Sequence, residues 1–179
     1  MSIRRYPVIG LVVCAAVCLT SAHGVVAGSA ITVQPPQFDH ASGWNVRVGA
    51  AHACPGVSPN RCSQATSVAS TSLWRDCIAC LPHKTVARMS TTAVAIQVTV
   101  AIERPSRPEP TFTWPPHVGR GDVSGGFEGL PDRIGVYQRR GRLGARDVSV
   151  LVFFGRVQPT DRQLNSVNME LRRARLNYG

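Results

Sequence analysis

The sequence predicts an α+β fold, in which a small antiparallel sheet carries a C-terminal helix packed on it and a long Pro/Gly-rich loop separates two halves. β-branched residues occupy every second position of residues 94–102, as they do in a strand that buries one face. Residues 148–154 show the same alternation and precede a stretch with apolar residues at helical spacing. A sheet with a helix on one face is the expected way to bury both patterns.

Residues 1–30 are predicted to form a secretory signal peptide. Arg4 and Arg5 make a positive start, and residues 8–22 are an uncharged apolar run, which is the order found in such peptides. Small residues at the end of this segment offer a cleavage point. An alternative is a membrane anchor over residues 8–30, which are numerous enough to span a bilayer.

The remaining residues, 31–179, are predicted to form a single α+β domain. Their number suits one domain of ordinary size. The chain has 44% hydrophobic and 17% charged residues, which favours a folded domain over a disordered one. The expected location is the cell envelope or the outside of the cell, reached through the N-terminal segment.

Short elements are predicted before the central loop. Residues 31–42 contain two prolines and are expected to be irregular. Residues 44–48 alternate apolar and polar side chains, which favours a half-buried strand. The Ser/Thr-rich residues 68–74 are a further strand candidate, and the strand at residues 94–102 ends at Pro105.

Residues 104–131 are predicted to be a long loop. They contain six prolines and five glycines, and a stretch of this length without regular structure is usually a functional loop or a linker. The aromatic residues Phe112, Trp114 and Phe127 are expected to pin this loop onto the core rather than to form a binding surface.

A hairpin is predicted after the loop. Residues 134–138 and 148–154 both alternate, and Gly141 and Gly144 mark a turn between them. The second run has apolar residues on both faces, which places it inside the sheet rather than at its edge.

A helix is predicted to close the domain. Thr160 and Gln163 match a capping box, in which the two side chains satisfy backbone N–H groups at the start of a helix. The predicted apolar face consists of Leu164, Val167, Leu171 and Ala174. This face is expected to pack on the sheet.

Four cysteines follow the predicted signal peptide: Cys54, Cys62, Cys77 and Cys80. An exported domain meets an oxidising compartment, in which such cysteines are expected to form disulfides. Turn-forming residues between Cys54 and Cys62 favour a local pair, and Cys77 would then pair with Cys80. Four cysteines allow three pairings, however, and the sequence does not choose among them.

Two alternative functions use Cys77 and Cys80, whose C-x-x-C spacing occurs in redox and zinc sites. A thiol–disulfide function needs a thiolate stabilised by nearby positive charge, and Pro82 follows the pair here, unlike the proline of a thioredoxin-type site. Zinc would need further ligands such as His52 or His83, and a strong zinc signature has two short ligand pairs. No metal site is therefore predicted.

The net charge of +10 indicates attraction to anionic partners. Lys84 is the only lysine, and an arginine excess is also the composition that a GC-rich genome produces. The candidate anion-binding residues surround the predicted hairpin turn: Arg139, Arg140, Arg142 and Arg146. The expected partner is an anionic lipid or an envelope polymer, with membrane contact only through the N-terminal segment or the basic surface. A solvated surface turn is the alternative interpretation of these arginines.

No catalytic residue and no cofactor are predicted. The sequence lacks a nucleophile elbow, a phosphate-binding loop, a zinc-protease helix motif and a calcium loop. A hydrolase that uses carboxylates of the long loop, such as Glu109 and Asp122, is a remaining alternative. Specific nucleic-acid binding is not predicted, because no series of stacking aromatics accompanies the arginines.

The C-terminal third resembles a group of uncharacterised exported proteins from GC-rich bacteria. The motifs that carry the resemblance are Trp114-Pro115-Pro116, Phe127-Glu128-Gly129-Leu130-Pro131, Phe153-Phe154-Gly155-Arg156, Pro159-Thr160, Gln163-Leu164 and Glu170-Leu171-Arg172. The resemblance implies an envelope or secreted location and no catalytic activity. The predicted function is accordingly an exported, non-enzymatic binding or scaffolding domain, with a thiol–disulfide or zinc-binding protein and a hydrolase as the alternatives.

The signal-peptide prediction is tested by the intact mass of the protein recovered from its own host. We expect a chain that starts after Ala27 or Ala30, because small residues precede both positions. A mass that still includes residues 8–30 would support the membrane anchor instead.

Overall fold

The structure is a computed structural model. It describes residues 31–39, 41–104 and 108–176, so the predicted signal peptide or anchor at residues 1–30 lies outside the described residues. The strands are β1 (Gln37–Phe38), β2 (Asn45–Val48), β3 (His52–Ala53), β4 (Cys62–Ser70), β5 (Val94–Glu103), β6 (Gly135–Leu143), β7 (Arg146–Phe154) and β8 (Ala174–Arg175). The α-helices are α1 (His83–Ala87) and α2 (Asp161–Arg173), and a short 3-10 helix spans Arg120–Asp122.

The predicted α+β class is confirmed. The main sheet is antiparallel and has the order β2-β4-β5-β7-β6, and β3 pairs with β4 further along that strand. β1 and β8 form a separate two-stranded sheet. α2 packs against the strands, as the C-terminal apolar spacing predicts.

The larger core lies between one face of the main sheet and α2. Alternate residues of β5 and β7 meet there in register, so that Ile96 lies opposite Val152 and Val98 opposite Val150. All four are fully buried, as is Leu171 of α2. Burial of each such side chain contributes roughly 1.5–3 kcal/mol, so this face holds the sheet and the helix together.

The opposite face of the sheet is covered at one end only. A smaller core forms there between the sheet and the segment that contains α1, with Trp74, Val86, Ile134 and Phe153 among its buried members. Towards the other end of the same face the side chains become polar. The sheet therefore presents a partly open polar surface on this side.

β4 differs from the predicted strand at residues 68–74, because it begins at Cys62 and ends at Ser70. It lies between β2 and β5 and is buried on both faces, but many of its buried side chains are small and hydroxylated, which removes the apolar alternation that marks a strand. The hydroxyls of Thr66, Ser67 and Ser70 have partners within the chain; Ser67 Oγ, for example, donates to the carbonyl of Pro36 at 2.6 Å.

The predicted hairpin is β6–β7, and its turn is shorter than the two glycines suggest. Gly144 has φ +62° and begins the two-residue turn, where a positive φ matches the twist of a hairpin. Gly141 lies inside β6 instead, opposite Val148. A side chain at this position would clash with the long loop, because an added Cβ would lie 2.7 Å from the carbonyl oxygen of Pro110.

The described part of the long loop meets the edge of β6 at Pro110, Thr111 and Phe112. Phe112 N–H donates to the carbonyl of Arg142 at 3.1 Å, which extends the sheet by one bridge. Phe112 is buried and meets Trp114 edge-on at 6.4 Å between ring centroids. The Trp114 indole N–H donates to the carbonyl of Ala174 at 3.0 Å. The aromatics therefore pin the loop, as predicted, and the loop shields the sheet edge.

The helix cap is confirmed in detail. The Gln163 N–H donates to Thr160 Oγ1 at 3.3 Å, and the Thr160 N–H donates to Gln163 Oε1 at 3.0 Å. The Gln163 amide also donates to the carbonyl of Ala93, just before β5. The cap thus fixes the start of α2 against the sheet as well as satisfying the helix terminus.

Replacement of Gly141 should destabilise the domain through overpacking. We expect Gly141→Ala to lower the free energy of unfolding by about 1–3 kcal/mol, because the new Cβ meets loop backbone and the Cβ of Phe112. Urea denaturation measures the difference. Gly121→Ala is the control, since nothing lies within 4 Å of its added Cβ; equal midpoints for the two variants would contradict the close crossing.

Candidate functional site

The polar end of the partly covered sheet face forms an open cleft of ≈ 280 Å³. Four strands supply its lining: Gln64 from β4, Thr99 and Ala101 from β5, Gln138 and Arg140 from β6, and Asp147, Val148 and Ser149 from β7. Side chains alternate across a strand, so the residues on either side of Thr99 and Ser149 face the core under α2; Val148, which borders the cleft, belongs to that core as well. The cleft therefore lies on the face of the sheet opposite the main core.

Strand register brings the chemical groups of the cleft into two rows. Asp147 lies opposite Ala101 of β5 and opposite Arg142 of β6. One step along the same face, Ser149 lies opposite Thr99 and Arg140. Directly opposed side chains on one face have Cβ atoms about 4.5–5.5 Å apart, so the carboxyl, hydroxyl and guanidinium groups share a small space.

Asp147 is the least expected member of the cleft. Its side chain is buried, with 7% exposed, and its Oδ1 has no hydrogen-bond partner in the described part of the chain. Burial raises the pKa of Asp147 above the ordinary value, although the guanidinium groups of Arg142 and Arg140 act to lower it; Glu109 and Glu103 add to the rise. A buried acceptor in this state is costly unless a ligand donates to it.

Arg140 connects the cleft to the long loop. Its Nη2 lies 3.3 Å from Glu109 Oε1, and about half of the arginine side chain remains exposed while the glutamate is 20% exposed. An ion pair at this exposure adds little to stability. Its geometric effect is to hold the loop at the rim of the cleft and to leave part of the guanidinium facing solvent.

The cleft floor is ordered by side-chain hydrogen bonds. Thr66 Oγ1 and Thr99 Oγ1 are 2.9 Å apart across β4 and β5. The Gln64 amide nitrogen lies 3.1 Å from His52 Nε2 of β3. These contacts hold the amide and hydroxyl groups of the cleft in place.

The four arginines named from the sequence do not form one patch. Arg140 and Arg142 lie on the cleft face of β6, whereas Arg139 belongs to the alternate set on the other face. Arg146 of β7 pairs with Leu143 and falls on that other face as well. The strand pleat therefore divides the cluster into two pairs, because the arginines lie within the strands and not in the turn.

The four cysteines are paired locally. Cys54 is bonded to Cys62 and Cys77 to Cys80, one of the three pairings that the sequence leaves open. Cys62 is buried in β4, while Cys77 and Cys80 are exposed in the loop before α1. In this oxidised form the sulfurs are not thiolates and do not act as metal ligands. No group of three or more His, Cys, Asp or Glu side chains in the described ranges is arranged to hold a metal ion.

Two other depressions are larger but differ in chemistry. One of ≈ 430 Å³ lies at the start of α2, where Thr160 and Gln163 are already engaged in the helix cap. The other, of ≈ 500 Å³, lies on α1 and is lined by Arg75, His83, Lys84, Ala87 and Arg88. The sheet cleft is distinguished from both by a buried carboxyl oxygen without a partner among the described residues.

Comparison with known proteins adds no assignment to this geometry. No protein-family model, curated protein or solved structure matches the chain. The resemblance to exported proteins of GC-rich bacteria stays a prediction. Among the described residues, the helices are too short and too polar to cross a bilayer.

Asp147 was missed in the sequence, where only its arginine neighbours stood out. Its signal is a single acidic residue inside the strand pattern of residues 146–154, at a position whose alternation assigns it to the half-open face. The strand partners needed to recognise the cleft come from β5 and β6. That neighbourhood depends on register, which a single strand does not reveal.

The cost of burying Asp147 should appear as a pH-dependent stability. Because the pKa of Asp147 is raised in the folded state, the wild-type free energy of unfolding should fall as pH rises from about 3.9, the unfolded value, through the folded pKa. Asp147→Asn removes this loss, since a neutral amide is less costly to bury than a carboxylate. We expect the variant to be more stable at pH 7 by about 1 kcal/mol.

Thermal unfolding of both proteins between pH 3.5 and pH 8 checks this expectation. The two curves should approach each other at the acid end, where the carboxyl is mostly protonated in both states. A variant that is less stable than the wild type at pH 7 would show that charged Asp147 is stabilised by the arginines instead.

Proposed function

We propose that this chain is an exported, non-enzymatic binding domain that holds an acidic, hydroxyl-bearing polymer of the cell envelope in the sheet cleft. The observation that carries the proposal is Asp147 Oδ1, a buried acceptor without a partner in the described structure, beside Arg140 and Arg142 in an open recess. Export rests on the N-terminal sequence pattern and the disulfides.

The side chains of the cleft match the groups of such a polymer. A guanidinium binds carboxylate or phosphate groups through two parallel hydrogen bonds. The amides of Gln64 and Gln138 and the hydroxyl of Ser149 both donate and accept, as sugar hydroxyls require. A ligand hydroxyl that donates to Asp147 Oδ1 would remove the penalty of the unpartnered acceptor.

The shape of the cleft favours a polymer over a lipid surface. Its lining residues come from β4, β5, β6 and β7, so they sit in a recess that runs across the strands. An extended chain can enter such a recess, whereas a flat bilayer contacts residues that project from the surface. The basic net charge adds long-range attraction to either anionic partner.

A matched pair of arginine variants tests the site. Arg140→Gln removes a positive charge from the cleft, and Arg139→Gln removes the same charge from the adjacent residue on the other face of β6. We expect Arg140→Gln to weaken binding to polygalacturonate roughly tenfold, or about 1.4 kcal/mol, and Arg139→Gln to change it little. Affinity electrophoresis with neutral dextran as the blank measures the difference.

Two outcomes would contradict the proposal. An equal loss for both variants would show attraction by net charge alone, without a specific cleft. Retention on phosphatidylglycerol vesicles that exceeds retention on polygalacturonate would favour the lipid surface. Raising the salt concentration further distinguishes specific binding in the cleft from attraction by net charge, because nonspecific attraction between exposed charges is screened first.

A further inference from the structure

The two disulfides occupy different environments. Cys62 is 4% exposed within β4, and its partner Cys54 is joined to it across a short loop. Cys77 and Cys80 are both exposed, three residues apart, in the loop that precedes α1. Thiol–disulfide exchange requires a thiolate to reach a sulfur atom, so the exposed Cys77–Cys80 bond is the more accessible to attack.

The base of the Cys77–Cys80 loop is closed by hydrogen bonds that do not involve sulfur. The Asp76 carboxylate accepts from the backbone N–H of Lys84 at 3.0 Å and of Thr85 at 2.8 Å, and from the Thr85 hydroxyl. The Arg75 N–H donates to Thr85 Oγ1 at 2.8 Å. These contacts join the two ends of the loop independently of the disulfide.

The middle of the loop is tied to the sheet. The Gln97 amide of β5 donates to the carbonyl of Ile78 at 2.7 Å and to that of Cys80 at 3.1 Å. The Trp74 indole N–H donates to the carbonyl of Cys77 at 3.3 Å. Both Gln97 and Trp74 are buried, so the backbone at each cysteine is held by the core. We therefore expect the loop to keep its place when the disulfide is opened.

Basic residues flank the pair along the chain, Arg75 before it and Lys84 and Arg88 after it. Arg75 precedes Cys77 by two residues, and Arg75, His83, Lys84 and Arg88 line the depression on α1. Partial burial acts to raise the pKa of Asp76, but hydrogen bonds from Thr85 and Lys84 outweigh it and lower that pKa, so the carboxylate is charged and engaged. Cationic surroundings stabilise a thiolate and attract an acidic partner.

We propose that Cys77–Cys80 is an exchangeable disulfide that oxidises an exported dithiol protein, whereas Cys54–Cys62 is a permanent staple. A thiolate of the partner attacks one sulfur of the pair, and the Cys77–Cys80 bond breaks to leave a mixed disulfide and one thiolate. The second partner thiolate attacks the mixed disulfide. The partner loses two electrons and two protons and becomes a disulfide, and Cys77 and Cys80 become thiols.

Differential reduction of the full exported chain tests this proposal. The oxidised protein is equilibrated with increasing dithiothreitol, quenched with an alkylating reagent and digested, and mass spectrometry counts each cysteine separately. We expect Cys77 and Cys80 to be half-reduced at a dithiothreitol concentration at least about tenfold lower than Cys54 and Cys62. The circular dichroism spectrum should not change over that interval, since the loop is held by Gln97.

Variants distinguish a redox site from a disulfide that is merely exposed. Lys84→Gln and Arg88→Gln together should slow alkylation of the reduced pair at neutral pH and move its pH profile upward, because the thiolate loses nearby positive charge. Arg162→Gln together with Arg172→Gln, two exposed residues of α2, is the charge-matched control. Cys77→Ser with Cys80→Ser should abolish oxidation of a reduced peptide dithiol.

Three results would overturn the proposal. The first is reduction of both disulfides at the same dithiothreitol concentration. The second is loss of the folded spectrum when Cys77 and Cys80 alone are reduced. The third is an alkylation profile of the Lys84 and Arg88 variant that is identical to that of the wild type. None of these results bears on polymer binding, which the arginine variants of β6 test separately.

Discussion

β5 pairs along nearly its whole length with β4 on one side and with β7 on the other, and the remaining architecture follows from that pairing. Its alternate apolar residues must all face one side, where α2 covers them. Its other residues, including Gln97 and Thr99, must then face the opposite side. If β5 shifted by one residue relative to its neighbours, its apolar residues would move to the polar face and its polar residues into the core. The residues of the core and those of the polar face therefore fix the same register.

The partly covered face carries two features whose positions are linked through β5. Gln97 holds the backbone of the cysteine loop at the apolar end, and Thr99, two residues further on, lines the cleft at the polar end. The segment with α1 covers the first end and stops before the second. One strand therefore supplies the anchor for an exposed disulfide and the floor of a binding recess, each on rigid backbone.

This arrangement buries polar side chains, which costs free energy unless they find hydrogen-bond partners. The small hydroxylated side chains of β4 are compensated, as in the bond from Ser67 to the carbonyl of Pro36. Asp147 is different, because its Oδ1 lacks a partner in the described chain and its pKa is raised. Local departures from full satisfaction of buried polar groups concentrate at functional sites, and this one coincides with the cleft.

The strands β5 and β7, the hairpin, the capped helix and the role of the loop aromatics could all be predicted from the amino-acid sequence, since each is encoded in a local period or a short motif. The extent of β4 could not be predicted in this way, because its small buried hydroxylated side chains show no apolar alternation, and neither could the placement of Arg139 and Arg140 on opposite faces of β6. The disulfide pairing and the place of Asp147 likewise required the tertiary structure. These depend on contacts between residues distant in the chain, which no local pattern records.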